Sequence, residues 1–441
     1  MNPVSRKWKI FMIQHTHTDV GYTERQEKVE INQIDYIKQA INIFEEIKSG
    51  RKNEWKGFKW TCETFWPVEK FLETATYKQR KQFEEAVVNG YIDLSASYLN
   101  TTDIIDGEVL KNMILRATNY AQSIGVNIDS AMTADINGHS WGYAQCMADA
   151  GIRNFFTCVH THHGMFPIGR KQYPFWWKTP KGQKILVWNG EHYHVGNDLG
   201  IIPNELGSYI IRDEFNEWYI SENHQEIAEK RITRYLHQLE KEEYPFDFVP
   251  IMGSGILIDN SPPNANIMSF INSWNDKFGD TICIEMTTLK EFFNYLRNHL
   301  RKTKPDVPEY SGDWPNWWSD VVASTPKATK FFLDAQRKLK VLRLIDPSCR
   351  LMSAEAINKA EYNMMMYTEH TWGHHMSGSQ PWNFDIQAQE LRKELYAYNA
   401  QDLIYREYDK ILASKGEATL FPGRPMKYKV INPYPYRVKD M

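Results

Sequence analysis

Two histidines and an aspartate stand at alternate positions directly after an apolar run near the N-terminus. The run at residues 7–13 is typical of a buried strand, and His15, His17 and Asp19 follow it. In an extended chain, residues two apart point to the same side. Ligands bind at the C-terminal ends of strands in barrels and open α/β sheets. The pattern predicts a divalent transition metal, with zinc the best fit; the alternative is a polar strand-to-loop junction whose histidines cap backbone groups.

Two further segments carry side chains of the same kind. Asp135 follows a short apolar strand at residues 130–134, which places it at the same rim of the sheet as His17 and Asp19. An aspartate between a strand and a glycine is also a common turn residue. The segment 367–375 holds three histidines within six residues at the end of a predicted helix. A helix C-terminus attracts an imidazolium, which explains one of these histidines but not three.

Composition excludes several classes of protein. The 441 residues include 52 Lys and Arg against 55 Asp and Glu, so a net charge of −3 gives no electrostatic case for nucleic acid or an anionic membrane. The five cysteines are scattered and form no C-x-x-C pair, which indicates free buried thiols. No apolar stretch approaches the roughly 20 residues of a membrane span. The N-terminus shows no signal-peptide pattern, which favours the cytoplasm unless a leader has been removed, and localisation stays open.

Strand-like and helix-like segments alternate up to about residue 300. Strands separated by helices imply βαβ units, and about seven such units predict an α/β fold with a seven-stranded, barrel-like sheet. After Pro326 the pattern changes to three helical segments, which predict a three-helix bundle. The predicted division is a barrel-like domain at 1–325, a helical bundle at 326–420 and the strand-like start of a β domain at 421–441.

The helices and strands are predicted from hydrophobic periodicity and flanking turn residues. Helices are expected at 32–49, 68–89, 107–124, from about 142, at 223–243, 265–278, 327–345, 353–370 and 384–414. Strands are expected at 8–14, 59–61, 91–95, 130–134, 155–158, 184–188, 248–252 and 281–285.

Taken in order, the three polar segments resemble the motifs of glycoside hydrolase family 38, the α-mannosidases. The family's first motif, His-Ser-His-Asn-Asp-Pro-Gly-Trp, is similar to His-Thr-His-Thr-Asp-Val-Gly-Tyr at 15–22. Its second, Ile-Asp-Pro-Phe-Gly-His-Ser, is similar to Ala-Asp-Ile-Asn-Gly-His-Ser at 134–140. Its third, a histidine usually followed by aspartate, is similar to Glu-His-Thr-Trp-Gly at 369–373. Val-Ile-Asn-Pro at 430–433 resembles the start of the family's C-terminal β domain.

The resemblance implies a retaining glycosidase that acts on a carbohydrate substrate, most similar to an α-mannosidase. It implies one zinc ion per chain, held by His17, Asp19, Asp135 and His370. Asp135 is then also the nucleophile of a double displacement. Tyr22 stands where the family has a tryptophan that walls the sugar pocket, and Glu369 and Trp372 are predicted to bind the sugar with it. His15 is left as a neighbour of the ligands.

The sequence departs from the family pattern at two places. Thr371 replaces the aspartate that usually follows the third-motif histidine, and His375 is a rival to His370 as the fourth ligand. The acid/base usually comes from a Gly-Asp-rich loop, which here corresponds to 252–263. Asp259 is the nearest carboxylate there, with a turn as its alternative interpretation, and Asp313 is a second candidate.

Two other functions stay open from the sequence. One is a different metal-dependent carbohydrate hydrolase, such as a deacetylase, in which Asp135 is only a ligand or base. The other is a non-catalytic carbohydrate-binding relative, because no acid/base is evident. Segments rich in histidine and aromatic residues, at 159–163, 175–177 and 191–194, are predicted to line the cleft; His160, His162 and His163 are an alternative second metal site.

Overall fold

The computed structural model describes residues 4–159, 167–169, 171–202, 208, 210–215, 223–255, 259–316, 318–416 and 430–439. Strands and helices alternate before three long helices. The strands are β1 Trp8–Gln14, β2 Trp60–Cys62, β3 Ile92–Leu94, β4 Ser130–Ile136, β5 Gly138–His139, β6 Asn154–Val159, β7 Tyr173–Lys178, β8 Lys184–Asn189, β9 Phe248–Gly253, β10 Ile282–Met286, β11 Glu309–Tyr310 and β12 Trp314–Pro315. The helices are α1 Gln26–Lys48, α2 Trp66–Thr74, α3 Tyr77–Val88, α4 Gly107–Ser123, α5 Trp141–Asp149, α6 Val195–Asp198, α7 His224–Lys241, α8 Ile267–Phe278, α9 Leu289–Thr303, α10 Pro326–Ile345, α11 Ala354–Thr368 and α12 Phe384–Ser414.

The central strands are mostly parallel, as the alternation of strands and helices predicts. β1 pairs in parallel with both β9 and β10. A five-stranded sheet has the order β11-β7-β8-β6-β4, in which only the β7–β8 pair is antiparallel. β2 and β3 form a parallel pair between these two sheets. A bridge from His15 to Thr61 connects this pair to β1, and Ala96 N donates to Ser130 O at 3.1 Å on the other side.

The mixed α/β class is confirmed, but the described strands do not close into the predicted seven-stranded barrel. Their ladder stops beside β9, where the short helix α6 replaces a further strand. The Asn197 side chain makes two hydrogen bonds with the backbone of Ser254: Nδ2 donates to O at 3.2 Å, and Oδ1 accepts from N at 2.9 Å. A Cβ on Gly196 would lie 2.6 Å from Met12 Cε and 3.0 Å from Met252 O, so a larger residue there would require its neighbours to shift. A side-chain amide has therefore taken the place of a strand partner.

Local capping explains two of the differences between the predicted helices and the observed ones. The helix expected at 68–89 is divided into α2 and α3, because Thr76 starts a new helix. Its hydroxyl accepts from Gln79 N at 3.3 Å while the Gln79 side chain accepts from Thr76 N at 2.9 Å, a capping box. The unpredicted helix α9 begins with the same arrangement, formed by Thr288 and Glu291.

Helices α10 to α12 occupy the predicted bundle region, and α12 also contacts α1. Gln26 Nε2 donates to Gln389 O at 3.1 Å, within the buried part of this contact. In the tail, residues 430–439 are mostly exposed and contain no strand, so the strand expected there is not found; residues 417–429 lie outside the described part. The boundaries at 325 and 420 stay predictions. No described helix is long and apolar enough to cross a membrane.

Candidate metal and sugar site

The first and third polar segments meet at the C-terminal end of β1. His17 Nε2 lies 3.1 Å from Asp19 Oδ1, and His370 Nε2 lies 3.2 Å from the same oxygen. The three residues are at most 2% exposed, and one ligand atom from each lies within 4.8 Å of the others. The structure therefore brings together three of the four predicted ligands from opposite ends of the chain.

The spacing of these atoms fits a divalent cation. Within the described part of the chain, none of His17 Nε2, His370 Nε2 and Asp19 Oδ1 has a hydrogen-bond partner, although all three are buried. Ligand atoms about 2.0–2.1 Å from a tetrahedral zinc lie roughly 3.3 Å apart, which is close to the observed separations. Two imidazole nitrogens and a carboxylate oxygen are also the donors that zinc prefers.

A buried carboxylate lies behind the ring of each of these two histidines. His17 Nδ1 lies 2.9 Å from Glu63 Oε1, and His370 Nδ1 lies 2.8 Å from Glu369 Oε1. This arrangement directs Nε2 of each ring towards Asp19 Oδ1. Burial alone would lower the pKa of His370, but the charges of Glu369 and Asp19 raise it to about 9. Burial likewise opposes the rise at His17, where Glu63 and Asp19 raise the pKa well above its usual value.

Glu63 and Asn100 are site residues that the sequence analysis missed. Glu63 Oε2 lies 2.5 Å from His15 Nδ1, and His15 Nε2 lies 2.8 Å from Tyr193 O, so His15 stands behind the ligands. Asn100 Nδ2 donates to Glu63 Oε1 at 2.5 Å, and Asn100 O accepts from His370 N at 2.8 Å. Glu63 directly follows β2, as His15 directly follows β1, so its position after a strand is a signal in the sequence. No comparable pattern marks Asn100.

Asp135 lies at an irregular position near the end of β4, beside His17, Asp19 and His370. Its φ of +52° is left-handed, and the pairing of β4 with β6 shifts register between Ala134 and Ile136. Such bulges redirect a side chain, and strained backbone of this kind is concentrated at functional sites. Burial raises the pKa of Asp135 to about 7, with Asp19 and Asp259 adding to the rise and the histidine ligands opposing it. Asp135 is nevertheless outside the group whose ligand atoms converge.

Asp259 faces the same centre. Tyr193 OH donates to Asp259 Oδ1 at 2.7 Å, and the Tyr193 ring lies 4.2 Å from the ring of His17. Asn260 holds this loop against the first motif, since its N donates to His17 O at 2.9 Å and its Nδ2 to Asp19 O at 3.1 Å. Burial and the charge of Asp19 raise the pKa of Asp259. The competing candidate, Asp313, instead accepts a hydrogen bond from Trp141 N at 2.6 Å, at the start of α5.

The predicted sugar contacts differ in their surroundings. Tyr22 is 36% exposed and lies beside His375, whose N donates to Tyr22 O at 3.2 Å. His375 is exposed and is not among the converging ligands. Glu369 is fully buried behind His370, whereas Trp372 is half-buried, with Nε1 donating to Thr102 Oγ1 at 3.1 Å. Sugar binding by Tyr22, Glu369 and Trp372 stays a prediction.

The remaining histidine- and aromatic-rich segments are only partly described. His192, His194 and Asp198 form a second buried group with ligand atoms within 4.8 Å of one another. Unlike the first group, it contains an ordinary hydrogen bond, between His194 Nδ1 and Asp198 Oδ2 at 3.2 Å. Phe175 and Trp177 are buried within the five-stranded sheet. His160, His162 and His163 lie outside the described residues.

Comparison with known proteins identifies the family. Residues 7–313 match the N-terminal domain of the glycosyl hydrolases of family 38. Because this match covers more than half of the sequence, the chain belongs to that family. A comparison with curated proteins finds no match to the sequence.

Solved structures show the same fold at low sequence identity. An α-mannosidase from Enterococcus faecalis V583 is 15% identical with a TM-score of 0.64, over 92% of this chain and 43% of that one. A family 38 protein from Enterococcus faecalis is 12% identical with a TM-score of 0.57, over 92% and 40%. A family 57 branching enzyme from Thermococcus kodakaraensis is 12% identical with a TM-score of 0.54, over 93% and 91%. The chain thus spans less than half the length of the two Enterococcus faecalis proteins it resembles.

Proposed function

We propose that this protein is a zinc-dependent retaining glycoside hydrolase that acts on α-mannosides or closely related α-glycosides. The observation that carries the proposal is the convergence of His17, Asp19 and His370 beside Asp135 in a family 38 chain. One structural neighbour is an α-mannosidase, which supports the choice of sugar.

The ligand set that we propose for zinc is His17, Asp19 and His370, with Asp135 as the fourth member. When bound, zinc would supply a Lewis acid that orients sugar hydroxyls and favours distortion of the ring towards the transition state. Glu63 and Glu369 hold the two imidazole rings in place. They let the histidines bind without rearrangement, since the ring orientation is already set.

Asp135 is the proposed nucleophile. Its carboxylate attacks the anomeric carbon as the bond to the leaving group breaks, and water then hydrolyses the resulting glycosyl ester. Attack requires the ionised form, while burial raises the pKa of Asp135 to about 7 in the metal-free protein. A nearby cation lowers a carboxylate pKa. Metal binding would therefore favour the ionised, nucleophilic form of Asp135.

Asp259 is the proposed acid/base. Its raised pKa keeps a proton available for the glycosidic oxygen, and the resulting carboxylate then takes a proton from the attacking water. Tyr193 OH fixes one oxygen of this carboxyl group, and Asn260 anchors the loop to the ligand segment. The two functions need opposite protonation states at the start, with Asp135 ionised and Asp259 neutral.

Asp259→Asn is expected to impair catalysis according to the leaving group. For an alkyl α-mannoside, kcat/KM should fall by roughly 10²–10⁴-fold, the usual contribution of a general acid. For a dinitrophenyl α-mannoside, formation of the glycosyl-enzyme should be little affected, because that leaving group departs without a proton. Asp313→Asn is the matched control and should behave like the wild type with both substrates. If Asp313→Asn shows this dependence on the leaving group and Asp259→Asn behaves like the wild type, Asp313 is the acid/base.

The function is tested by following hydrolysis of an aryl α-mannoside by the zinc-loaded chain with NMR. The proposal expects the α-anomer of the sugar to appear first, before mutarotation. First appearance of the β-anomer would contradict a retaining mechanism. Release of acetate from an acetylated sugar, with no cleavage of any aryl α-glycoside, would instead establish a deacetylase.

A further inference from the structure

One lysine of the helical bundle reaches the third polar segment from behind. Lys393, on α12, is only 3% exposed. Its Nζ donates to Glu369 O at 2.7 Å and lies 3.4 Å from Glu369 Oε2. The same Nζ lies 4.6 Å from the centre of the Trp372 ring. Lysine is among the residues least often buried, so this position requires compensating partners, and Glu369 supplies them.

Glu369 connects this lysine to a metal ligand. Its Oε1 lies 2.8 Å from His370 Nδ1, and its Oε2 accepts from Thr371 N at 3.1 Å and from Thr371 Oγ1 at 2.5 Å. Val20 N, next to the ligand Asp19, donates to Oε1 at 3.3 Å. The carboxylate therefore has contacts on both oxygens, and its orientation determines that of the His370 ring.

Trp372 is fixed from two directions. The indole Nε1 donates to Thr102 Oγ1 at 3.1 Å, and the ammonium of Lys393 lies over the ring face, where an aromatic quadrupole attracts a cation. Tyr367 packs edge-on against the indole, with ring centres 5.1 Å apart. One lysine thus contacts both the residue behind a proposed metal ligand and a residue predicted to bind the sugar.

We propose that Lys393 is a positioning residue, which sets the His370 imidazole through Glu369 and the Trp372 indole through its ring face. The proposal rests on the proposed metal function. It makes α12 a part of the active unit, because the bundle supplies the cation that keeps Glu369 in place. Carboxylates behind metal-binding histidines typically change metal affinity by 10–100-fold when they are disturbed.

The test uses Lys393→Met, which keeps the length and apolar stem of the side chain but removes its charge. Lys393→Arg restores a cation, and Lys410→Met is the matched control, since Lys410 lies on the same helix and pairs with Glu407 away from the site. Metal affinity is measured by competition with a chelator. Cobalt in place of zinc gives a visible spectrum that reports ligand geometry independently of activity.

Lys393→Met is expected to weaken metal binding by about 10–100-fold and to change the cobalt spectrum. Lys393→Arg should recover part of the affinity, and Lys410→Met should match the wild type. A folded Lys393→Met protein with unchanged affinity and spectrum would overturn the inference. If Lys393→Met does not fold, the double variant Lys393→Met/Glu369→Gln removes both charges, and wild-type affinity in that protein would overturn it equally.

The same experiment distinguishes failure of the role proposed for Lys393 from failure of the proposed metal-dependent function. A wild-type chain that binds neither cobalt nor zinc would contradict the proposed metal-dependent function itself. A wild-type chain that binds metal tightly, together with an unaffected Lys393→Met variant, would contradict only the role of Lys393.

Discussion

Asp135→Asn is expected to lower the turnover of the zinc-loaded protein by at least about 10⁴-fold and to leave the fold intact. An amide is too weak a nucleophile to form the glycosyl ester, and loss of a group that acts in bond formation removes most of the rate acceleration. The backbone tolerates the change, because Asn adopts the left-handed φ of +52° at this position as readily as Asp. Steady-state kinetics with an aryl α-mannoside and the circular dichroism spectrum measure the two expectations.

Asp93→Asn is a suitable control for loss of a buried carboxyl group. Burial raises the pKa of Asp93 to about 6, but its carboxylate accepts from Lys290 N at the start of α9 and takes no part in the metal site. Its turnover should stay within a few-fold of the wild type. Near-wild-type turnover in Asp135→Asn would refute the nucleophile assignment.

Asp135→Asn should also stabilise the metal-free protein at neutral pH. Burial raises the folded-state pKa of Asp135 from 3.8 to about 7, so ionisation at higher pH works against folding. The penalty is absent below about pH 4, grows as the pH rises and is complete above about pH 7. Asp135→Asn should therefore unfold with a free energy about 2–4 kcal/mol higher than the wild type at pH 8, and with no advantage at pH 4. Denaturant titration with a chelator present measures the difference.

Removal of the metal is expected to have the second largest effect. The chelated protein should lose activity by about 10³-fold or more and recover it with one equivalent of zinc. His370→Ala should have the same effect at ordinary zinc concentrations, while His237→Ala, on α7 beside Glu240, should not. Full activity in a protein shown to contain no metal would exclude the zinc mechanism.

Metal affinity should also depend on pH. Because Glu369 and Asp19 raise the pKa of His370 to about 9 against the effect of burial, protons compete with the metal below that pH. Affinity should rise with pH up to about 9, by roughly tenfold per pH unit for each proton displaced. Chelator competition at pH 6, 7, 8 and 9 measures this slope. A flat profile would contradict binding through His370.

The sequence predicts the site residues that lie at the end of a single strand. It does not predict the residues that act through contacts between segments distant in sequence. His17 and Asp19 follow β1, and Asp135 lies near the C-terminal end of β4, so the position of each at the end of a strand was visible in the local sequence. Glu63, Asn100 and Lys393 act through contacts with residues distant in sequence. No local pattern records such contacts. His17, Asp19 and His370 lie close together in the structure, while the ligand roles of these three residues and of Asp135 stay predictions.

The fold shows the same division between local and long-range information. Periodicity predicted α4, α8 and α12 to within a few residues, because each buries one regular face. Thr288 and Glu291 have the spacing of a capping box, which marks the start of α9, but the helix was not predicted. The number of predicted strands does not establish a closed barrel, because closure also requires hydrogen bonds between the first and last strands, and none is found among the described residues. Closure is a property of the whole sheet, not of its individual strands.

The most direct test of the central claim is to trap the intermediate with a 2-deoxy-2-fluoro glycosyl fluoride. The fluorine slows hydrolysis of the glycosyl ester, so the sugar stays attached to its nucleophile. Trypsin cuts after Arg116 and Arg153, which places Asp135 in the peptide 117–153. Fragmentation of that peptide distinguishes Asp135 from Asp129 and Asp149.

The account predicts one fluoro-sugar on Asp135 of the zinc-loaded chain, in proportion to the activity lost, and none on the Asp135→Asn variant. Attachment to another carboxylate, or steady glycoside hydrolysis with no attached sugar at all, would contradict it.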